Sequence, residues 1–207
     1  PRARAIDEQG VGFEGGDVVH PPGLLENVAG LRRLGVTALS LPREVGGFAF
    51  PLTAGAMFVE GLSRACTNTM ILYAFYQGPV FMVLRWGTPD QVERWAKPLG
   101  TGEISGAVAM TEPDAGSDVG AISMTAVEEG GHWRLNGRKQ FITNGCGDVC
   151  IVLARSQKGS SGLDGLSLFV VPRRIDGRAN YTVARPEKKP IGVVLAGAGS
   201  SQAASTT

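Results

Sequence analysis

The residues best suited to chemistry lie in Ala109-Met110-Thr111-Glu112-Pro113-Asp114-Ala115-Gly116-Ser117-Asp118, which leaves an apolar run and enters a polar loop. Pro113 and Gly116 bend the chain tightly, so that backbone N–H groups and the Thr111 and Ser117 hydroxyls converge on one point. Such a loop suits a phosphate or the polar edge of a ring; an ordinary turn whose hydroxyls satisfy local backbone groups is the alternative. Glu112 stands in the same loop. A carboxylate acting as a base needs a raised pKa, which nothing in the sequence supplies, so a carboxylate held by backbone donors and a nearby cation is the better reading. Downstream, Leu135-Asn136-Gly137-Arg138-Lys139-Gln140-Phe141-Ile142-Thr143-Asn144-Gly145 follows a strand-like run. By residue type alone, Phe141 and Ile142 suit the core of a strand and Thr143 its end.

Other chemistries find little support. Gly10-Val11-Gly12-Phe13-Glu14-Gly15 spells G-x-G-x-x-G, but no predicted strand precedes it, which leaves a Gly-rich loop rather than a nucleotide site. Cys146 and Cys150 have no second pair, and His20 and His132 lie far off, so no zinc site is expected. The three cysteines are read as reduced thiols. The acceptor pattern Asn180-Tyr181-Thr182 is attributed to chance.

Two kinds of element must position these loops. From Pro21 to Leu99 the apolar residues recur at helical spacing. Leu24, Leu25, Val28, Leu31 and Leu34 predict an amphipathic helix ending at Gly35, and a second helix runs from about Thr53 through Leu62. A third, from about Thr69 to Leu84, is apolar nearly all round and is expected to be central and buried. Thr88-Pro89-Asp90-Gln91 spells a capping box opening a short helix to about Lys97. Beyond Leu99, short β-branched runs alternate with Gly, Asn and Asp. Ser105 to Met110, Ala121 to Val127, Trp133 to Leu135, Arg138 to Thr143, Val149 to Ala154, Leu166 to Val171 and Tyr181 to Ala184 are the expected strands. Glu129-Gly130-Gly131 and Asn136-Gly137 are expected hairpin turns, and Gln157 to Gly162 a surface loop. Helices followed by strands predict an α+β chain: an N-terminal helical bundle over 1–104, then an antiparallel β-barrel or sheet over 105–190. Residues 191–207 turn to Ala, Gly, Ser and Thr without periodicity and read as a disordered or aberrant tail.

The loop from Thr111 to Asp118 resembles the acyl-CoA dehydrogenase motif T-E-P-x-A-G-S-D, and Leu135 to Gly145 resembles that family's L-N-G-x-K-x-[WF]-I-T-N-G. Leu41-Pro42-Arg43-Glu44-Val45-Gly46-Gly47 and Trp86 to Leu99 are similar to the family's helical-domain segments. The resemblance runs from about Gly35 to Lys189 and implies an FAD-dependent α,β-dehydrogenation of an acyl-CoA thioester to the enoyl-CoA. It implies that Val108, Ala109, Met110, Thr111, Gly116 and Ser117 line the flavin, with the Thr111 hydroxyl at the ring's polar edge. Ser117 would lie where flavin pyrophosphate and the substrate's CoA approach each other. Phe141, Ile142 and Thr143 would add an aromatic face and a donor near flavin N5, where negative charge grows on reduction. Trp is usual in the family at the Phe141 position; Phe keeps the stacking surface without the indole donor. The family's base comes from a C-terminal helical domain for which this sequence shows no match after Lys189, so a truncated chain is expected. A catalytically inactive fragment that binds flavin weakly or pairs with a relative, and an acyl-CoA oxidase, are the alternatives.

The same resemblance implies an electron-transferring flavoprotein as acceptor and a homo-oligomeric parent, dimer or tetramer. Twenty basic and 19 acidic residues leave a net charge of +1 without blocks of one sign, so nucleic acid is not an expected partner. No apolar run approaches the roughly 20 residues of a membrane-spanning helix. An intracellular protein is expected, cytoplasmic if bacterial and in the mitochondrial matrix if eukaryotic. The 207 residues are 43% hydrophobic, enough for a buried core.

Overall fold

A computed structural model describes residues 2–184, 192–194 and 202–204. The chain divides into two compact units, Pro1–Ser105 and Gly106–Thr207.

The first unit is mainly helical. It opens with α1 (Ala3–Gln9) and a small antiparallel hairpin, β1 (Gly12–Glu14) with β2 (Asp17–Val19). The Gly-rich segment expected as a loop is therefore a hairpin. Gly15 and Gly16 turn it with φ of 59° and 81°, angles at which a side chain is strained. Next come α2 (Pro22–Arg33), α3 (Leu52–Ala65) and α4 (Thr67–Trp86). As the sequence predicts, α2 stops before a left-handed Gly35, here with φ of 70°. Ile6, Leu24, Val28, Cys66 and Leu72 form one core cluster. The α4 helix buries Leu72, Tyr73, Val80 and Val83, but Ile71 and Phe81 are 40% and 39% exposed. Expected to be buried all round, it is covered over only part of its circumference by α1, α2, α3 and the segment after it. That segment starts with α5 (Pro89–Gln91), continues through a π turn (Val92–Ala96) and ends as α6 (Lys97–Thr101). Its capping box forms as read: Gln91 N donates to Thr88 Oγ1 and Thr88 N to Gln91 Oε1. Among the described residues no helix is long and apolar enough to cross a membrane.

The second unit is built on a sheet of β3 (Gly106–Ala109), β4 (Thr125–Glu129), β5 (His132–Asn136), β6 (Val149–Arg155) and β7 (Leu166–Pro172). Two small antiparallel pairs follow: β8 (Arg174–Ile175) with β9 (Arg178–Ala179), and β10 (Thr182–Ala184) with β11 (Gly192–Val194). A last strand, β12 (Gln202–Ala204), pairs with β7. The sheet runs β12-β7-β6-β4-β5, with β3 also on β6. Three features correct the sequence-based expectation. The sheet is mixed, because β3 runs parallel to β6 from Gly106↔Val149 to Ala109↔Val152 and β4 meets β6 in parallel at Thr125↔Arg155. The long connection between β3 and β6, which contains the β4–β5 hairpin, is what a parallel pairing needs. The sheet is open, with no ladder joining β12 to β5 among the described residues. Finally, Arg138–Thr143 is not a strand and Asn136-Gly137 is not a hairpin turn: Asn136 ends β5 and the chain departs as a loop. The expected Gly130-Gly131 turn does join β4 to β5, with Glu129 opposite His132. Most of the expected disordered tail, 191–207, lies outside the described residues; the two described pieces are β11 and β12.

Ala107, Ala109, Val149, Cys150, Val152 and Phe169 are buried completely, so β3, β6 and β7 form the centre of this unit.

Candidate functional site

Strand β3 delivers the first loop. Ala109 is buried at its end, after which Glu112 and Ala115 close a tight turn through Glu112 N to Ala115 O at 2.8 Å and Ala115 N to Glu112 O at 3.3 Å. Gly116 and Ser117 are exposed, while Val108, Met110 and Thr111 are half-buried.

Glu112 is the structural centre of the loop. Its carboxylate is 3% exposed and accepts from Ser123 N at 2.8 Å, Ser123 Oγ at 2.7 Å, Met124 N at 3.0 Å and Lys139 Nζ at 2.9 Å. Burial pushes its pKa up, but the Lys139 hydrogen bond and the Ser123 and Met124 donors outweigh burial and hold it below its ordinary value. This is the tied carboxylate that the sequence suggests, and its lone pairs are spent on structure.

The segment after β5 is drawn against this loop. Lys139 Nζ donates to Met110 O as well as to Glu112, both at 2.9 Å, and Gln140 N donates to Thr111 O at 2.8 Å. Gly137 lets this segment pass Met124: a Cβ there would lie 2.8 Å from Met124 Cβ and 2.9 Å from Met124 Cα. Phe141 then takes a left-handed φ of 59° and is 54% exposed, Ile142 is buried, Thr143 is exposed, and Asn144 has φ of 54°. The far end is held too. Asn144 Nδ2 donates to Gly106 O at 2.9 Å, and the Tyr181 hydroxyl is shared between Gly145 O and Gly147 O, each at 3.3 Å.

The two motifs thus meet through Met110, Thr111 and Glu112 on one side and Lys139 and Gln140 on the other. Ile142 faces the interior, as its residue type predicts, whereas Phe141 and Thr143 lie at the surface. Sequence reasoning left four contributors without a role: Lys139, Asn144, Arg155 and Tyr181. The Arg155 guanidinium donates to the carbonyls of Gly120, Ile122, Gly162 and Asp164 and to Ser160 Oγ, joining the loop 156–165 to the segment that supplies Ser123 and Met124. An acid in one motif and a lysine in the other was the available signal for Lys139; nothing local marked Arg155.

Thr111, Ser117 and Thr143 carry hydroxyls in these two loops, and Phe141 presents an exposed aromatic ring. Among the described residues there is no cluster of His, Cys, Asp or Glu able to hold a metal ion.

Comparison with known proteins identifies the family of the chain. The sequence model of the acyl-CoA dehydrogenase N-terminal domain matches residues 1–103, and that of the acyl-CoA dehydrogenase middle domain matches residues 107–202. The chain is similar to the mitochondrial short-chain specific acyl-CoA dehydrogenase of Mus musculus, 36% identical over 160 residues, which is 75% of this chain and 37% of that protein. It is also similar to the short-chain specific acyl-CoA dehydrogenase of Clostridium acetobutylicum, 33% identical over 80% of this chain and 43% of that protein. Among solved structures, the FAD complex of PigA superposes with a TM-score of 0.72 at 26% identity, over 83% of this chain and 47% of that one. The chain spans less than half the length of these relatives. It belongs to the acyl-CoA dehydrogenase family.

Proposed function

We propose that this member of the acyl-CoA dehydrogenase family supplies the flavin-facing wall of an enzyme that converts an acyl-CoA thioester to the enoyl-CoA. The observation that carries this reading is the joining of the two loops, which brings the Thr111 side into one locality with Phe141 and Thr143. In our reading Val108, Met110, Thr111, Gly116, Ser117, Phe141 and Thr143 contact FAD, the buried Ala109 and Ile142 support this wall from beneath, and Ser117 also meets the CoA moiety.

Bound there, FAD supplies the acceptor for the hydride that leaves the carbon β to the thioester. The chain's own residues bind and orient. Thr111 and Thr143 offer donors where charge grows, Phe141 offers a flat apolar surface, and the buried Ala109 and Ile142 fix the backbone beneath them. The α-proton needs a base, and Glu112 does not serve: four donors already occupy its carboxylate and keep it ionised and fixed. That role falls to a group outside these two loops. The names of the mouse and Clostridium relatives support an acyl-CoA substrate. We extend the proposal to an electron-transferring flavoprotein as acceptor and to a homo-oligomer, in the cytoplasm of a bacterium or the mitochondrial matrix of a eukaryote.

The test is to load the chain with FAD, remove free flavin, and add butyryl-CoA without oxygen. Bleaching of the flavin band is expected only where the chain itself supplies the base. A yellow protein that no acyl-CoA bleaches would make the chain a flavin-binding unit alone.

A further inference from the structure

Lys139 stands apart from the residues assigned to flavin contact, and it is the residue that fastens the two loops together. Its side chain is 0% exposed. The ammonium bonds Met110 O and Glu112 Oε1, and the neighbouring amide, Gln140 N, bonds Thr111 O. Three consecutive residues of the first loop are thereby held by two consecutive residues of the second. On the other side of Phe141 and Thr143, Asn144 anchors the segment to Gly106, and Tyr181 donates to the carbonyls of Gly145 and Gly147. Left-handed backbone at a bulky residue persists only where its surroundings over-determine it, and Phe141 is held there while its ring remains exposed. Stability alone does not explain the buried charge, because apolar side chains of similar volume often fill such a space at least as favourably. What the ion pair adds is register between two loops.

We propose that Lys139, through Met110 and Glu112, is a positioning residue that sets the separation of Thr111 from Phe141 and Thr143, and so tunes the affinity and spectrum of a flavin bound there. This rests on the flavin reading above. The test compares the wild-type chain with the double variant Glu112→Gln/Lys139→Met, which leaves no buried charge and keeps one oxygen able to accept from Ser123 N and Oγ, though not from Met124 N as well. Three quantities are read: FAD affinity, the visible band of bound FAD, and hydrogen exchange at the Gln140 amide relative to global unfolding. The double variant is expected to unfold cooperatively, to bind FAD roughly tenfold more weakly, to show a shifted flavin band, and to exchange Gln140 faster. Wild-type affinity and band in the folded double variant would overturn the proposal, even if exchange quickened. Weaker binding with unchanged Gln140 protection would also overturn it, by making the lysine a direct ligand. Should the double variant not fold, Lys139→Arg, which keeps the charge in a different donor geometry, is read against the same three quantities. If the wild-type chain takes up no FAD, the flavin reading fails, and Gln140 exchange by itself decides whether Lys139 holds the loops in register.

Discussion

Four hydrogen bonds converge on Glu112, one of them from a buried ammonium, and they give this residue a pH signature. Burial alone would raise its pKa; Lys139, Ser123 and Met124 outweigh burial and lower it from an ordinary value of 4.5. A carboxylate with a depressed folded pKa contributes stability that is complete above the unfolded value and is lost as the pH falls through the folded one. Acid titration of unfolding free energy is therefore expected to show a loss below pH 4.5 that Glu112→Gln diminishes. The reverse outcome, identical acid limbs for the two proteins, would mean that Glu112 is not held as described. Lys139→Met alone strands the carboxylate without its counter-ion and is expected to cost about 3–5 kcal/mol in denaturant unfolding. The neighbouring Cys150 is pushed up to about 12, chiefly by burial, so it remains a thiol and acts as an apolar packing group.

At the scale of elements, Gly137 decides where β5 ends and the second loop begins. A methyl group there meets Met124 at 2.8–2.9 Å, and Met124 N is one of the donors to Glu112. Gly137→Ala is expected to lower stability by about 1–3 kcal/mol, read as a shift in the denaturant midpoint, because the backbone of β4's approach must yield. An unchanged midpoint would show that the two segments are not so close. This junction also shows what the sequence made legible. Local signals were readable: the stop of α2 at Gly35, the Thr88–Gln91 capping box and the Gly130-Gly131 turn are each decided by a few adjacent residues. Arg138–Thr143 was not, since its alternation of residue types imitates a strand while its backbone partner, Thr111, lies far away in the chain. The parallel pairing of β3 with β6 was hidden for the same reason. In the site, the loops could be read from their motifs, but the fastening by Lys139, Asn144 and Tyr181 depends on contacts across the sheet unit that no local pattern encodes.

For the molecule as a whole, the two units correspond to two family segments, a helical one matched over residues 1–103 and a sheet-bearing one matched over 107–202. The chain reaches 37% of the mouse relative's length, so the reaction is a property proposed for the whole enzyme, and flavin binding by these loops is the part this chain tests directly. In our reading the loops 108–117 and 141–143 form one wall of an FAD site. Titration of FAD into the chain, followed by quenching of flavin fluorescence, measures it with Thr143→Ala and Phe141→Asn as comparators. Saturable binding that both substitutions weaken is the predicted result; absence of binding, or binding indifferent to both, would contradict it.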